Sequence, residues 1–191
     1  ISKKEPPPPS KHPRIDDSTA VEPQRTEQVF KRIPSVNFPG HLRHIDRYDF
    51  GSKARDGIVE ILPPKVGKPY RTFVSAVDED GNEIAGVRLP EITVPLATFT
   101  GWNLRHPDIG APEQYAWVLG SIIPFAVTKK ERKGIGDPRL SIEERYESKK
   151  DFLDKVNKAA RKLVEEGFLL VEDIEIIMEQ LKQRYDFFSN R

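Results

Sequence analysis

The sequence predicts an α+β chain with an extended proline-rich strap, a small antiparallel β region, a long apolar loop and a C-terminal helical pair. Three observations carry that expectation. Prolines crowd the first forty residues, β-forming runs broken by Asp-Gly turns follow, and apolar residues recur at helical spacing in the last third. These divide the chain into residues 1–40, 41–127 and 128–191.

In the strap, Pro6 to Pro9 form an unbroken run, and Pro13, Pro23, Pro34 and Pro39 follow. Each proline fixes φ and removes a donor, so neither helix nor central strand is expected to persist there. The expectation is a polyproline-type strap lying over neighbouring structure.

In the second region, strands are expected over Leu42 to Tyr48 and Ile58 to Leu62, the latter ended by Pro63 and Pro64. A hairpin should follow, with Tyr70 to Val77 going out and Glu83 to Leu89 returning. Between them Asp78-Glu79-Asp80-Gly81-Asn82 carries the residues that tolerate left-handed backbone. This run superficially resembles a calcium loop. It lacks the third acidic position before the glycine and the twelfth-position glutamate, so a turn is expected. Residues 90–127 are interrupted by Pro90, Pro95, Pro107, Pro112 and Pro124, yet hold Phe99, Trp102, Trp117, Ile122 and Phe125. A loop this apolar is expected to pack on something.

The last third carries helix signals. Thr128 with Glu131, and Ser141 with Glu144, have capping-box spacing. Ser148 is placed to cap a helix over Lys149 to Glu166 that Gly167 would end. A second helix is expected over Val171 to Tyr185, antiparallel to the first because the link is short.

Composition narrows the function classes. With 31 basic against 30 acidic residues, the net charge is +1, which argues against broad electrostatic binding of nucleic acid or anionic membrane. No apolar run approaches the length of a membrane span. The absence of cysteine excludes disulfides, thiolate metal sites and a cysteine nucleophile, but fixes no compartment.

No serine lies in a G-x-S-x-G elbow; Ser121 follows Gly120 but lacks the second glycine. His41 and His44 stand three apart, which in a strand points them to opposite faces, so no metal is expected there. Gly134-Ile135-Gly136 is followed by Asp137-Pro138 and makes no phosphate loop. No catalytic residue, cofactor or metal is therefore expected from these residues.

Several segments together resemble one family. Lys4-Glu5-Pro6-Pro7-Pro8-Pro9-Ser10-Lys11-His12-Pro13, the block from Val77 to Pro90, the block from Val94 to Arg105, Ile123-Pro124-Phe125-Ala126 and Asp137 to Tyr146 are similar, in order, to large bacterial proteins containing an α/β-hydrolase domain. The resemblance implies an α/β-hydrolase-like whole protein. Its serine nucleophile and histidine would lie upstream of the strap, and this chain would form the C-terminal part. Ile1 would then end the helix before the strap. It further implies a small-molecule ester or related acyl substrate and an upstream hydrolase core as partner, in the same or a separate chain. A periplasmic or secreted location is compatible with it.

Two functional readings follow. In the first, the chain walls the pocket of a hydrolase. Trp102 would supply apolar area, Asn103 a donor and an acceptor, Arg105 a carboxylate partner, and His106 a polar neighbour. The plain alternative to those roles has Trp102 as core and Arg105 in a structural ion pair. In the second reading the chain is a non-catalytic interaction or structural module, its proline strap and apolar loop binding a partner chain.

Overall fold

A computed structural model of the chain describes residues 6–39, 42, 44–116 and 119–190. Its architecture is α+β, with short antiparallel strand pairs on one side and a C-terminal helical layer on the other.

The strap region departs from expectation. Residues 6–14 hold no regular element and are exposed, but a short strand β1 (Ala20–Val21) and a two-turn helix α1 (Pro23–Phe30) follow. Pro23 starts this helix rather than breaking it: at the first helical position the missing N–H is not needed and the fixed φ suits the helix. Thr26 and Phe30, one turn apart, are the buried face of α1. The Thr26 hydroxyl donates to the Ser75 carbonyl at 3.0 Å. Further up, the strap is pinned by Lys11. Its ammonium meets the Glu166 carboxylate at 2.6 Å and lies over the Phe168 ring, and its carbonyl accepts from Gly86 N–H.

Of the strands expected next, Leu42 to Tyr48 reduces to β2 (Tyr48–Asp49), with residues 41 and 43 outside the described residues. Ile58 to Leu62 forms no strand. Instead β3 (Lys65–Val66), beyond the two prolines, pairs antiparallel with β2. The outgoing arm of the expected hairpin contributes β4 (Val74–Ser75), whose partner is β1 and not its own return arm. Only the Val77–Glu83 bridge remains of the hairpin. The turn itself forms as expected. Asp78 N–H donates to Asn82 O at 2.8 Å, and Asp78 Oδ1 accepts from the Asp80 and Asn82 amides. Gly81, with φ +83°, supplies the left-handed step.

Residues 90–127 hold more structure than a loop. Helix α2 (Pro90–Thr93) again opens on proline, and β5 (Ala97–Thr100) pairs antiparallel with β6 (Ser121–Pro124). Register places Leu96 opposite Phe125, whose amide donates to the Leu96 carbonyl, so Ala97 and Phe99 turn their backbone groups away from β6. The carboxamide of Asn82, itself fully buried, meets them. Its Nδ2 donates to Ala97 O at 3.2 Å and its Oδ1 accepts from Phe99 N–H at 2.8 Å. Beside β6, the Arg139 guanidinium donates to the carbonyls of Ile123 and Pro124. Asn82 therefore takes the place of a neighbouring strand along β5, while Arg139 covers the outward-facing Pro124 carbonyl of β6.

The C-terminal layer comprises α3 (Lys129–Ile135), α4 (Ile142–Arg145), α5 (Lys149–Glu165) and α6 (Ile174–Ser189). Ser141 and Glu144 form the full reciprocal box. At Thr128 the hydroxyl accepts from Glu131 N–H, while the Glu131 carboxylate reaches one residue further back, to Val127 N–H. Ser148 caps α5. Gly167, with φ +78°, ends it with paired bonds from Gly167 and Phe168 amides to Val164 and Leu163 carbonyls. Helices α5 and α6 run antiparallel: Lys149 at the start of one meets Asp186 at the end of the other at 2.6 Å. Helix α6 runs past Tyr185 because Phe188 continues its buried face below Leu181.

The core lies where this layer meets β5 and β6, around Leu96, Phe125, Tyr146, Phe152, Val156 and Leu181. Phe152 is wholly buried with its ring 5.0 Å from both Tyr146 and Tyr185, and such burial contributes on the order of 2–3 kcal/mol. The Tyr146 hydroxyl donates to Pro95 O at 2.8 Å, and burial pushes its ionisation up.

Candidate functional site

The strand pair positions the candidate site. Residues 102–116 leave the end of β5 and return to β6 as an irregular hairpin. Arg105 N–H donates to Gln114 O, Ala116 N–H donates to Asn103 O, and Leu104 bridges Tyr115. Gly101 and Gly120 flank its root. A Cβ on Gly120 would overlap the Thr100 carbonyl, so only glycine lets the two arms close there.

At this root Trp102 turns toward the strap. Its ring stands edge-on to Phe30 at 5.2 Å and to Phe38 at 5.6 Å, while Phe30 and Phe38 stack at 5.7 Å. The trio and its neighbours enclose an inner cavity of about 70 Å³, lined also by Phe99, Tyr115 and Glu83. An outer hollow of about 310 Å³ adjoins it, between Leu42, Thr72, Trp102 and Tyr115. The two share Val74, Gly101, Trp102 and Tyr115 as lining. Burial raises the ionisation of the Tyr115 phenol, so near neutral pH it presents a protonated hydroxyl.

The other three expected pocket residues sit further along the hairpin. Asn103 Oδ1 accepts from Leu104 N–H at 2.8 Å, and the Arg105 guanidinium donates to Ile109 O at 2.9 Å. His106 Nδ1 accepts from Asp108 N–H as the cap of a short turn over Pro107–Ile109, and its ring is largely exposed. None of the three lines either space.

Phe30, Phe38, Glu83 and Tyr115 were not singled out by sequence. They come from three segments, and no local spacing links them.

Among the described residues no serine or threonine hydroxyl is bonded to a histidine ring, and no group of three potential metal ligands occurs. His44 Nε2 lies 3.3 Å from Asp46; His41 is outside the described residues. Of the carboxylates in the 78–83 turn, Asp78 meets Arg88 and Asp80 meets Arg145 through both oxygens.

A strand pair flanked by bonding side chains and an antiparallel helical layer define an α+β chain, with an apolar hollow near the strand ends. Residues 1–179 match the family described as alpha/beta hydrolase domain, and the chain belongs to that family. No curated protein and no solved structure matches it. Among the described residues no helix is long and apolar enough to cross a membrane.

Proposed function

We propose that this chain walls the substrate pocket of an ester or related acyl-bond hydrolase. The serine nucleophile and histidine base come from a hydrolase core outside these residues, in the same or a separate chain. The observation that carries the reading is the hollow at Trp102. Its volume, about 310 Å³, lies at the lower end of the usual range for small-molecule pockets, and its lining is mostly apolar. Trp102 provides the wall against which an apolar substrate group packs. Asn103, Arg105 and His106, on the adjoining hairpin outside the hollow, would meet only a part of the substrate that extends beyond it. Catalysis rests on the core's nucleophile and its oxyanion-binding amides.

The test is Trp102→Ala in the protein carrying the hydrolase core, assayed on a series of esters of increasing acyl size. KM for bulky apolar esters should rise about tenfold or more, with short esters little affected. Unchanged kinetics across the series in a stably folded variant would refute the pocket role.

One observation favours the second reading, a non-catalytic interaction module. From residue 44 to 70 no side chain is buried, and Ile45, Leu62 and Val66 are 72%, 82% and 66% exposed. An arm this apolar suits a protein contact. Under that reading Leu62→Asp would abolish assembly while leaving hydrolysis by the core intact.

A further inference from the structure

The arm from residue 44 to 70 has a regular element and no core. Strands β2 and β3 pair within it, Tyr48 opposite Val66 and Asp49 opposite Lys65. Paired residues share a face of the ladder and their neighbours take the other. One face therefore carries Tyr48 and Val66, and the opposite face Asp49 and Lys65. The ring of Phe50 lies 6.4 Å from that of Tyr48 and extends the apolar face. A lone two-stranded ribbon is marginal in water unless that face is packed, yet none of these side chains is buried. Ile58, Val59 and Leu62, beyond the ladder, are exposed too. In all, seven large apolar residues between 45 and 70 are more than half exposed. At on the order of 100 Å² apiece, they approach the surface of about 800 Å² that one partner brings to a standard protein interface.

The arm starts beside the Trp102 hollow. His44, Pro69 and Tyr70 at its root line a second hollow of about 400 Å³, and Leu42 and Thr72 line both. The two legs are tied together there. Tyr70 N–H donates to Ile45 O at 2.9 Å, and Gly67 N–H to Arg47 O at 2.7 Å. The arm thus leaves the fold as one unit, from residues that flank the hollow.

We propose that this arm is a clamp that docks on the hydrolase core and holds the Trp102 hollow against the core's nucleophile. The inference rests on the pocket reading above and names the surface by which this chain meets its partner. Three arguments select the core as the occupant.

Position is the first. A nucleophile that acts on a substrate in the hollow sits against the hollow, and the arm is rooted there. Whatever body supplies that nucleophile lies within reach of the arm.

The second separates the core from another copy of this chain. Among the described residues no serine or threonine hydroxyl is bonded to a histidine ring, so a second copy brings no nucleophile to the hollow.

Charge is the third. Between residues 44 and 70 five lysines and arginines stand against four carboxylates. A surface so nearly neutral suits an apolar, weakly charged protein face and not a polyanion.

Thiol labelling in the protein carrying the hydrolase core tests the contact. This chain has no cysteine, so Leu62→Cys and, at an exposed charged position of the same arm, Arg55→Cys each place one reporter on it. N-ethylmaleimide, read by peptide mass, should modify Leu62→Cys about tenfold or more slowly than Arg55→Cys. Leu62→Asp should lower kcat/KM about tenfold or more for every ester, short or long, and Leu62→Met should keep the wild-type value. Equal labelling of the two thiols, or unaltered turnover in Leu62→Asp, would overturn the clamp; an acyl-size effect of Trp102→Ala would then leave the pocket standing. Slow labelling that quickens on dilution, as the mass halves, would assign the arm to a second copy and overturn the clamp as well. Loss of assembly in Leu62→Asp with hydrolysis intact would overturn the clamp together with the pocket reading.

Discussion

Among the described residues the Arg139 guanidinium is the most heavily committed polar group, and removing it should be correspondingly costly. Its side chain and that of Asp137 are each 2% exposed. Nε meets Asp137 Oδ1 at 3.0 Å and Nη2 meets Oδ2 at 2.6 Å. Nη1 donates to the Thr98 hydroxyl at 2.8 Å and to Ile123 O at 3.0 Å, and Nη2 to Pro124 O at 3.3 Å. Arg139→Met fills similar volume but strands the Asp137 carboxylate in the interior and leaves three acceptors without this donor. Breaking a buried pair from one side costs about 3–5 kcal/mol. For a chain of this length that is a fall in Tm of about 6–20 °C, against a total stability of about 5–15 kcal/mol. Adding Asp137→Asn to Arg139→Met removes the stranded charge and should restore much of the loss. The double-mutant cycle, measured by urea unfolding at constant m, should show a coupling of about 2 kcal/mol or more. A loss under about 1 kcal/mol for Arg139→Met, or strict additivity in the cycle, would refute the account of Arg139 as the partner on which Asp137 depends.

Two further outcomes follow from the same interior. Asn82→Ala should cost about 2–5 kcal/mol, because Ala97 O and Phe99 N–H lose their partner in a site closed to water. Asn82→Asp should be at least as damaging at neutral pH, where a second carboxylate oxygen would face the Ala97 carbonyl. It should partly recover as acid protonates it into a donor, so an Asn82→Asp variant as stable as the wild type at neutral pH would sink this reading. At the capping box, burial raises the ionisation of Glu144. Bonds from the Ser141 amide and hydroxyl and from Arg132 outweigh that and hold it down at about 2, against an ordinary 4.5. A depressed carboxylate stabilises the fold fully above its ordinary value. That contribution drains away between pH 4.5 and 2 and disappears below the folded value. Unfolding midpoints followed through this window should decline, and Glu144→Gln should flatten the part of the decline that belongs to this group.

What the sequence disclosed, and what it withheld, separate by range. The box at Ser141 and Glu144, the cap at Ser148 and the stop at Gly167 were legible because each is a bond between residues three to five apart. The turn at Asp78 to Asn82 was legible for the same reason. Helix α1 was missed because Pro23 was read as a breaker where it is an opener, and the distinction depends on Thr26 and Phe30 finding a surface to bury against. The partner of β4 was missed because β1 lies far upstream, beyond any local pattern. The site shows the same division. Trp102 stood out as an aromatic in an apolar loop, whereas Phe30, Phe38, Tyr115 and Glu83 meet it only through the fold.

The two side chains flanking the strand pair also set a timetable for synthesis. Asn82 precedes its bonding partner Ala97 by 15 residues, so the outer edge of β5 is closed by chain already made. Arg139 follows Pro124 by 15 residues, so β6 emerges from the ribosome before the group that covers its outward-facing carbonyl exists outside the exit tunnel. During that interval the bare strand is a template for another nascent chain on the same message. A product that stalls or is truncated between residues 124 and 139 would keep this edge open permanently and should aggregate, whereas one that extends past Arg139 carries its own latch.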